Sequence, residues 1–223
     1  MLTCYRDNML TMKPMYTVAI ISQKGGAGKT TLALHLAVAS EQAGKSAVIV
    51  DLDPQASASR WKDRRQGSAP AVVSSHASRL LEVLQAAREH GAALAIIDTA
   101  PHSEASALNA ARAADLILIP CRPSILDLQA ISSTVDIARL ANKTAFAVLN
   151  HIPPRGTMAE EARAAIATYN LAVSPAQLVQ RNAFVHSLTE GLTAQEYEPE
   201  GKAAQEVHSL YLWLCDYANM LSC

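Results

Sequence analysis

The chain has 223 residues, 50% of them hydrophobic, with 19 Lys and Arg against 20 Asp and Glu and a formal net charge of −1. That length fits one sizeable core, and the balanced charge excludes a uniformly basic surface, so any DNA contact has to come from a local patch. Four scattered cysteines (Cys4, Cys121, Cys215, Cys223) with no C-x-x-C pair argue against a disulfide framework or an intrachain zinc or iron–sulfur site, and fit a reducing cytoplasm.

Residues 1–14 show no sustained period and read as a flexible N-terminal extension, with Met9, Met12 and Met15 as alternative starts. No signal peptide and no run of 18 apolar residues is visible. Residues 15–223 are expected to form a single domain. A first strand over Thr17–Ile21 leads into Lys24-Gly25-Gly26-Ala27-Gly28-Lys29-Thr30-Thr31, and a helix follows from about Lys29 to Gln42, ending at Gly44. A strand that turns through glycines into a helix is a phosphate site. The glycines let backbone N–H groups face an anion, and the helix N-terminus adds partial positive charge. Lys29 suits the terminal phosphates and the Thr30 hydroxyl suits Mg²⁺. The loop departs from G-x-x-x-x-G-K-[ST], because Gln23 stands where the first glycine belongs and a second lysine, Lys24, opens it.

Ser46–Val50 is an apolar run of buried-strand type that ends in Asp51-Leu52-Asp53-Pro54-Gln55. Strand alternation puts Asp51 and Asp53 on one side. Beside phosphate and Mg²⁺, Asp53 suits the attacking water and Asp51 the metal shell. The plainer reading is a turn in which Asp53 bonds its own backbone. Residues 62–70 read as a loop, Ala71–Ser74 as a short strand, and Leu80, Leu81, Val83, Leu84 and Ala87 as a helical stripe closed by Gly91. Leu94–Ile97 is another buried strand, ending in Asp98, which has the position of a Mg²⁺-holding acid. A helix over Ser103–Ala113, a strand over Asp115–Pro120, a helix over Ile125–Leu140 and a strand over Ala145–Leu149 follow. Asn150 ends that strand and is a candidate adenine contact. Met158–Tyr169 reads as helix, 171–179 as extended, Asn182–Leu188 as a short helix, Glu196–Gly201 as an acidic turn and Lys202–Leu221 as the last helix. Strand and helix alternate throughout. The expected fold is therefore α/β, one doubly wound, mainly parallel sheet with helices on both faces and its ligand beyond the strands' carboxyl ends.

Gln23 to Thr31, then Val50-Asp51-Leu52-Asp53-Pro54-Gln55, then Ile97-Asp98-Thr99-Ala100-Pro101, closely resemble the ParA/MinD family of deviant-Walker P-loop ATPases, in order and at ordinary separations. The resemblance runs from about Tyr16 to the C-terminus and is strongest to the small, ParF-like partition ATPases. It implies that Gly25 to Thr31 bind ATP or ADP, Lys29 holds the phosphates, Thr30 and Asp98 organise Mg²⁺ and Asp53 positions water. Lys24 would be the signature lysine that reaches the partner's ATP in a nucleotide-sandwich homodimer. It further implies slow hydrolysis, a ParB-type centromere-binding partner that accelerates it, and nucleoid association in the ATP state. DNA candidates are Arg60, Lys62, Arg64 and Arg65, or Arg155, Arg163 and Arg181. The last helix carries Val207, Leu210, Tyr211, Leu214, Tyr217 and Ala218 at helical spacing and no Lys or Arg after Lys202, so it is expected to pack on the core and not on a membrane. Other readings are a MinD-like positioning ATPase, a cluster-carrying relative (which the unpaired Cys121 does not support) and a nucleotide-gated polymerising scaffold.

Overall fold

The apolar runs are about five residues long, and each can hide both faces only inside a sheet covered on both sides. The structure, a computed structural model, describes residues 15–124, 127–128 and 130–221. The expected N-terminal extension, and Ile125 at the expected start of a helix, lie outside them. The strands are β1 (Tyr16–Ile20), β2 (Ala47–Asp51), β3 (Ala71–Ser74), β4 (Leu94–Asp98), β5 (Leu116–Cys121), β6 (Ala145–Leu149) and β7 (Ala172–Val173). They form one sheet in the order β3-β2-β4-β1-β5-β6-β7, with every pairing parallel. The helices are α1 (Lys29–Gln42), α2 (Ser57–Arg64), α3 (Leu80–Glu89), α4 (Glu104–Ala113), α5 (Ile131–Leu140), α6 (Met158–Ala167), α7 (Asn182–Thr189), α8 (Ala194–Tyr197) and α9 (Lys202–Leu221).

Side-chain alternation splits the core in two. Ala19, Val48, Val50, Ala95, Ile97, Ile117 and Ile119 point to a layer shared with α3, α4, α5 and α6. Val18, Ile20, Ile49, Ile96, Leu116 and Leu118 point the other way, onto α1, α2, α7 and α9. Helix α1 is buried continuously from Leu32 to Ser40, because α9 lays Val207, Leu210, Tyr211 and Leu214 across its outer side. The last helix is thus a core element, as its pattern predicts, and among the described residues no helix is long and apolar enough to cross a membrane.

Three stretches differ from expectation. Residues 57–64 form α2, of which 62–64 had read as loop. Only Ala58 and Trp61 of this helix are buried, so it carries almost no apolar period, and its cap comes from Asp51 outside the helix. Ala194–Tyr197, which runs into the first two residues of the expected acidic turn, is one helical turn fixed by a capping box between Thr193 and Glu196. The expected extension over 171–179 reduces to the two residues of β7 and a single bridge between Ile152 and Val179.

Candidate functional site: a glycine loop at the carboxyl edge of the sheet

The sheet order places β1 between β4 and β5, so the loop after β1 lies between the ends of those strands. Ile20 is level with Asp98 on one side and with Leu118 on the other. Gly26 and Gly28 take φ of +73° and +97°, which lets the loop fold back over the start of α1. A side chain on Gly28 would stand 2.1 Å from the Asn150 amide nitrogen. That amide donates to the Ala27 carbonyl at 2.9 Å, and its oxygen accepts from the His151 N–H at 2.9 Å. Asn150, offered from sequence as a base contact, therefore lies against the loop, with both ends of its amide engaged.

The two lysines point to different partners. The Lys29 ammonium is buried, 6% exposed, and donates to the carbonyls of Ser22 at 3.1 Å and Lys24 at 3.3 Å. Burial lowers its pKa, while Asp98 and Asp53 pull the other way. The Lys24 ammonium instead pairs with Asp127 at 2.7 Å, with side-chain exposures of 34% and 7%. Ser124 also hydrogen-bonds Asp127. Asp127 lies in the chain after β5, 103 residues from Lys24, and local spacing carries no signal for the pair.

The three aspartates separate as sharply. Asp51 is 1% exposed. Its carboxylate accepts the N–H groups of Asp53 and Ala58 at 3.1 Å and Ser59 at 3.4 Å. Those bonds hold the turn after β2 and cap α2. Burial nonetheless leaves the Asp51 pKa raised. Asp53 is half-buried, and its Oδ1 accepts the Gln55 N–H at 2.9 Å, as in a self-bonded turn. Asp98 is fully buried, and neither of its oxygens has a hydrogen-bond partner. The Thr30 hydroxyl and Lys29 favour its charge from nearby. Burial outweighs them and pushes its pKa up to about 7, with Asp51 and Asp53 adding in the same direction.

A buried carboxylate with two open oxygens, beside a threonine hydroxyl and an ammonium, fits a divalent cation. Among the described residues no three His, Cys, Asp or Glu side chains converge on a metal site. Such an ion would therefore take most of its ligands from phosphate and water, the ordinary coordination of Mg²⁺. A glycine loop at a helix N-terminus and an open acid on the adjacent strand together define a P-loop nucleotide site.

Comparison narrows the class. The model of the CobQ/CobB/MinD/ParA nucleotide binding domain matches residues 18–194, so the chain belongs to that family and is an ATPase of its ParA/MinD class. It is similar to "Maintenance of carboxysome distribution protein A" of Gloeobacter kilaueensis, with 34% identity across 87% of the chain and 89% of that protein. It is also similar to "Protein IncC" of Escherichia coli, with 28% identity across 88% of the chain and 68% of that protein. The septum site-determining protein MinD of Pyrococcus horikoshii, solved with Mg-ADP, has the same fold. Its TM-score is 0.73 at 19% identity, covering 93% of the chain and 98% of that structure.

The expected DNA contacts are mostly engaged inside the molecule. Arg65 pairs with Glu196 and lies over Trp61. Arg181 pairs with Glu206, and Arg163 bonds the Ser174 carbonyl and Gln177. Lys62 bonds the Gly67 and Ser68 carbonyls and Arg60 that of Gln55. Arg64 and Arg155 are exposed. His35 is 0% exposed and ties α1 to α8. Its Nδ1–H donates to the Thr31 carbonyl at 2.7 Å, and its Nε2 accepts the Ala194 N–H at 3.0 Å.

Proposed function

We propose that the chain is a cargo-positioning ATPase that dimerises on ATP, with two nucleotides sandwiched between the copies, and separates after hydrolysis. The observation that carries this is the division of labour between the lysines. Lys29 bonds carbonyls of its own loop, whereas Lys24 is held by an ion pair to Asp127 in the chain after β5. When a phosphate tail enters, Lys29 exchanges two neutral carbonyls for anionic oxygens, a stronger set of bonds. Thr30 and Asp98 would hold Mg²⁺, which neutralises charge on the phosphates. Asp53, at the tip of the turn that Asp51 anchors, orients the attacking water. Lys24 leaves Asp127 and serves the nucleotide of the second copy.

The cargo reading follows the relatives. One is named for carboxysome distribution, and the similar "Chromosome partitioning protein ParA" of Caulobacter vibrioides is 25% identical over 55% of the chain. We take plasmid or chromosomal DNA as the first cargo and a protein body as the second, each carried through an adaptor of ParB type that speeds hydrolysis. The ATP dimer would be nucleoid-bound through exposed arginines such as Arg64 and Arg155, with an affinity that falls steeply with salt.

Size-exclusion and turnover assays on Lys29→Ala and Lys24→Ala test this. Lys29→Ala should lose nucleotide binding. Lys24→Ala should bind ATP but neither dimerise productively nor hydrolyse it. Normal turnover in Lys24→Ala would defeat the role across the dimer.

A further inference from the structure

Four arginines among the described residues are half-buried: Arg65, Arg122, Arg163 and Arg181. Three of them have partners that explain their burial. Arg65 forks onto Glu196 at 2.6 and 2.9 Å, Arg181 meets Glu206 at 2.5 and 2.9 Å, and Arg163 meets the Ser174 carbonyl at 3.1 Å. Arg122 stands apart. It takes no part in any ion pair among the described residues, and its Nε is buried with no hydrogen-bond partner. A guanidinium N–H withdrawn from water without an acceptor costs stability, and an anion that arrives later would relieve that cost.

The position says which anion. Arg122 follows the last residue of β5, and β5 pairs with the strand that feeds the glycine loop. Its Nη2 lies 3.8 Å from where a Cβ on Gly26 would stand. The free end of the side chain is thus laid against the loop itself. The same charge reaches His151, next to the Asn150 that braces Ala27 and Gly28. Burial holds the His151 pKa below its ordinary value, and Arg122 adds to the effect.

We propose that Arg122 is a further binding residue of this site, a guanidinium that grips the phosphate tail of the nucleotide seated in its own chain's loop. The proposal rests on the reading of that loop as an ATP site. A planar fork suits phosphate, which offers two oxygens to two parallel N–H groups. Lys29 would then serve the tail from inside the loop and Arg122 from the β5 side, leaving Lys24 for the other copy. The glycine-loop motif brings Lys29 and Lys24 to phosphates, both from the segment after β1, and Arg122 adds a cation from the segment after β5.

Titrations of wild type, Arg122→Gln, Arg122→Lys and Lys29→Ala with ATP, and pyrophosphate competition against a fluorescent ATP, test this, together with melting temperatures with and without ATP. Arg122→Gln should weaken ATP and pyrophosphate alike by about tenfold or more, and Arg122→Lys should recover part of the loss. The nucleotide-free melting temperature of Arg122→Gln should hold or rise, while its increase on adding ATP shrinks. Wild-type affinity in Arg122→Gln, with binding lost in Lys29→Ala, overturns the proposal and leaves the ATP site standing. A loss for ATP without one for pyrophosphate, or a nucleotide-free melting temperature that falls as far as the liganded one, overturns it as well. Wild-type binding in Lys29→Ala overturns the ATP site itself.

Discussion

Asp51 and Asp98 end neighbouring strands, stand level in the sheet and are both at most 1% exposed, yet their surroundings are opposite. Asp51 has three backbone N–H groups aimed at it, whereas neither oxygen of Asp98 has a hydrogen-bond partner. The first arrangement supports the fold and the second burdens it, since the Thr30 hydroxyl and the Lys29 charge only partly offset the burial of Asp98. A site that waits for a cation and a polyphosphate has to hold such a burden, and the scaffold beside it has to carry the cost.

The largest effect should come from the open partner of the pair. Asp98→Asn should lower ATP turnover by roughly a hundredfold or more, about 3 kcal/mol or above. The nucleotide-free protein should melt at the same temperature or higher, because a neutral amide costs less to bury. A large drop in melting temperature would instead place Asp98 with the supporting groups.

His35 belongs with Asp51 among the satisfied groups, and pH reveals it. Burial holds its pKa down to about 4, against a hydrogen bond with Thr31 and the charge of Glu196, which favour protonation. The unfolded chain therefore takes up a proton on His35 below about pH 6.5 that the folded chain refuses until about pH 4. The contribution is fully present above pH 6.5 and is lost as pH falls, about 3 kcal/mol across that window. Urea midpoints measured over the window should show it, and His35→Gln should flatten that part of the slope. An unchanged slope would mean that the ring is protonated in the fold.

Asp51→Asn should act on stability before chemistry. Losing a charged acceptor of three N–H groups should cost about 1–3 kcal/mol in urea unfolding. ATP affinity should stay within a fewfold, because the Asp51 oxygens are taken up by the turn that carries Asp53 and Asp51 acts on Asp98 only through its charge. A loss of Mg²⁺-dependent ATP binding with stability intact would return Asp51 to the metal shell.

The same contrast explains what could be read from sequence. Val18 to Ile20, Val48 to Val50 and Ala95 to Ile97 are buried on both faces, so their unbroken apolar runs identify parallel strands directly. The glycine loop is equally plain, because its chemistry is local: glycine freedom, a lysine and a hydroxyl at the start of a helix. Features made by distant partners could not be read in this way. Helix α2 gets its cap from Asp51, and Arg65 looks like part of a basic stretch until Glu196, 131 residues on, takes its charge. Arg122 lay in plain view, but what distinguishes it is the lack of a partner, which no sequence displays.

The smallest predicted effect concerns the ion pair between Lys24 and Asp127, where the open and supporting roles meet. Asp127 is 8% exposed and keeps both Lys24 and Ser124. For Lys24 to reach a second copy it must leave a buried carboxylate behind, so the pair opposes dimerisation. Lys24 is itself a third exposed, and solvent screening reduces the pair to about 1 kcal/mol or less. Asp127→Asn should therefore tighten the ATP-dependent dimer only a fewfold, which sedimentation equilibrium with ATP and with ADP resolves. The ADP state should stay monomeric, because the change removes a restraint and adds no attraction. A weaker ATP dimer in this variant would show that Asp127 aims Lys24 across the interface and does not restrain it.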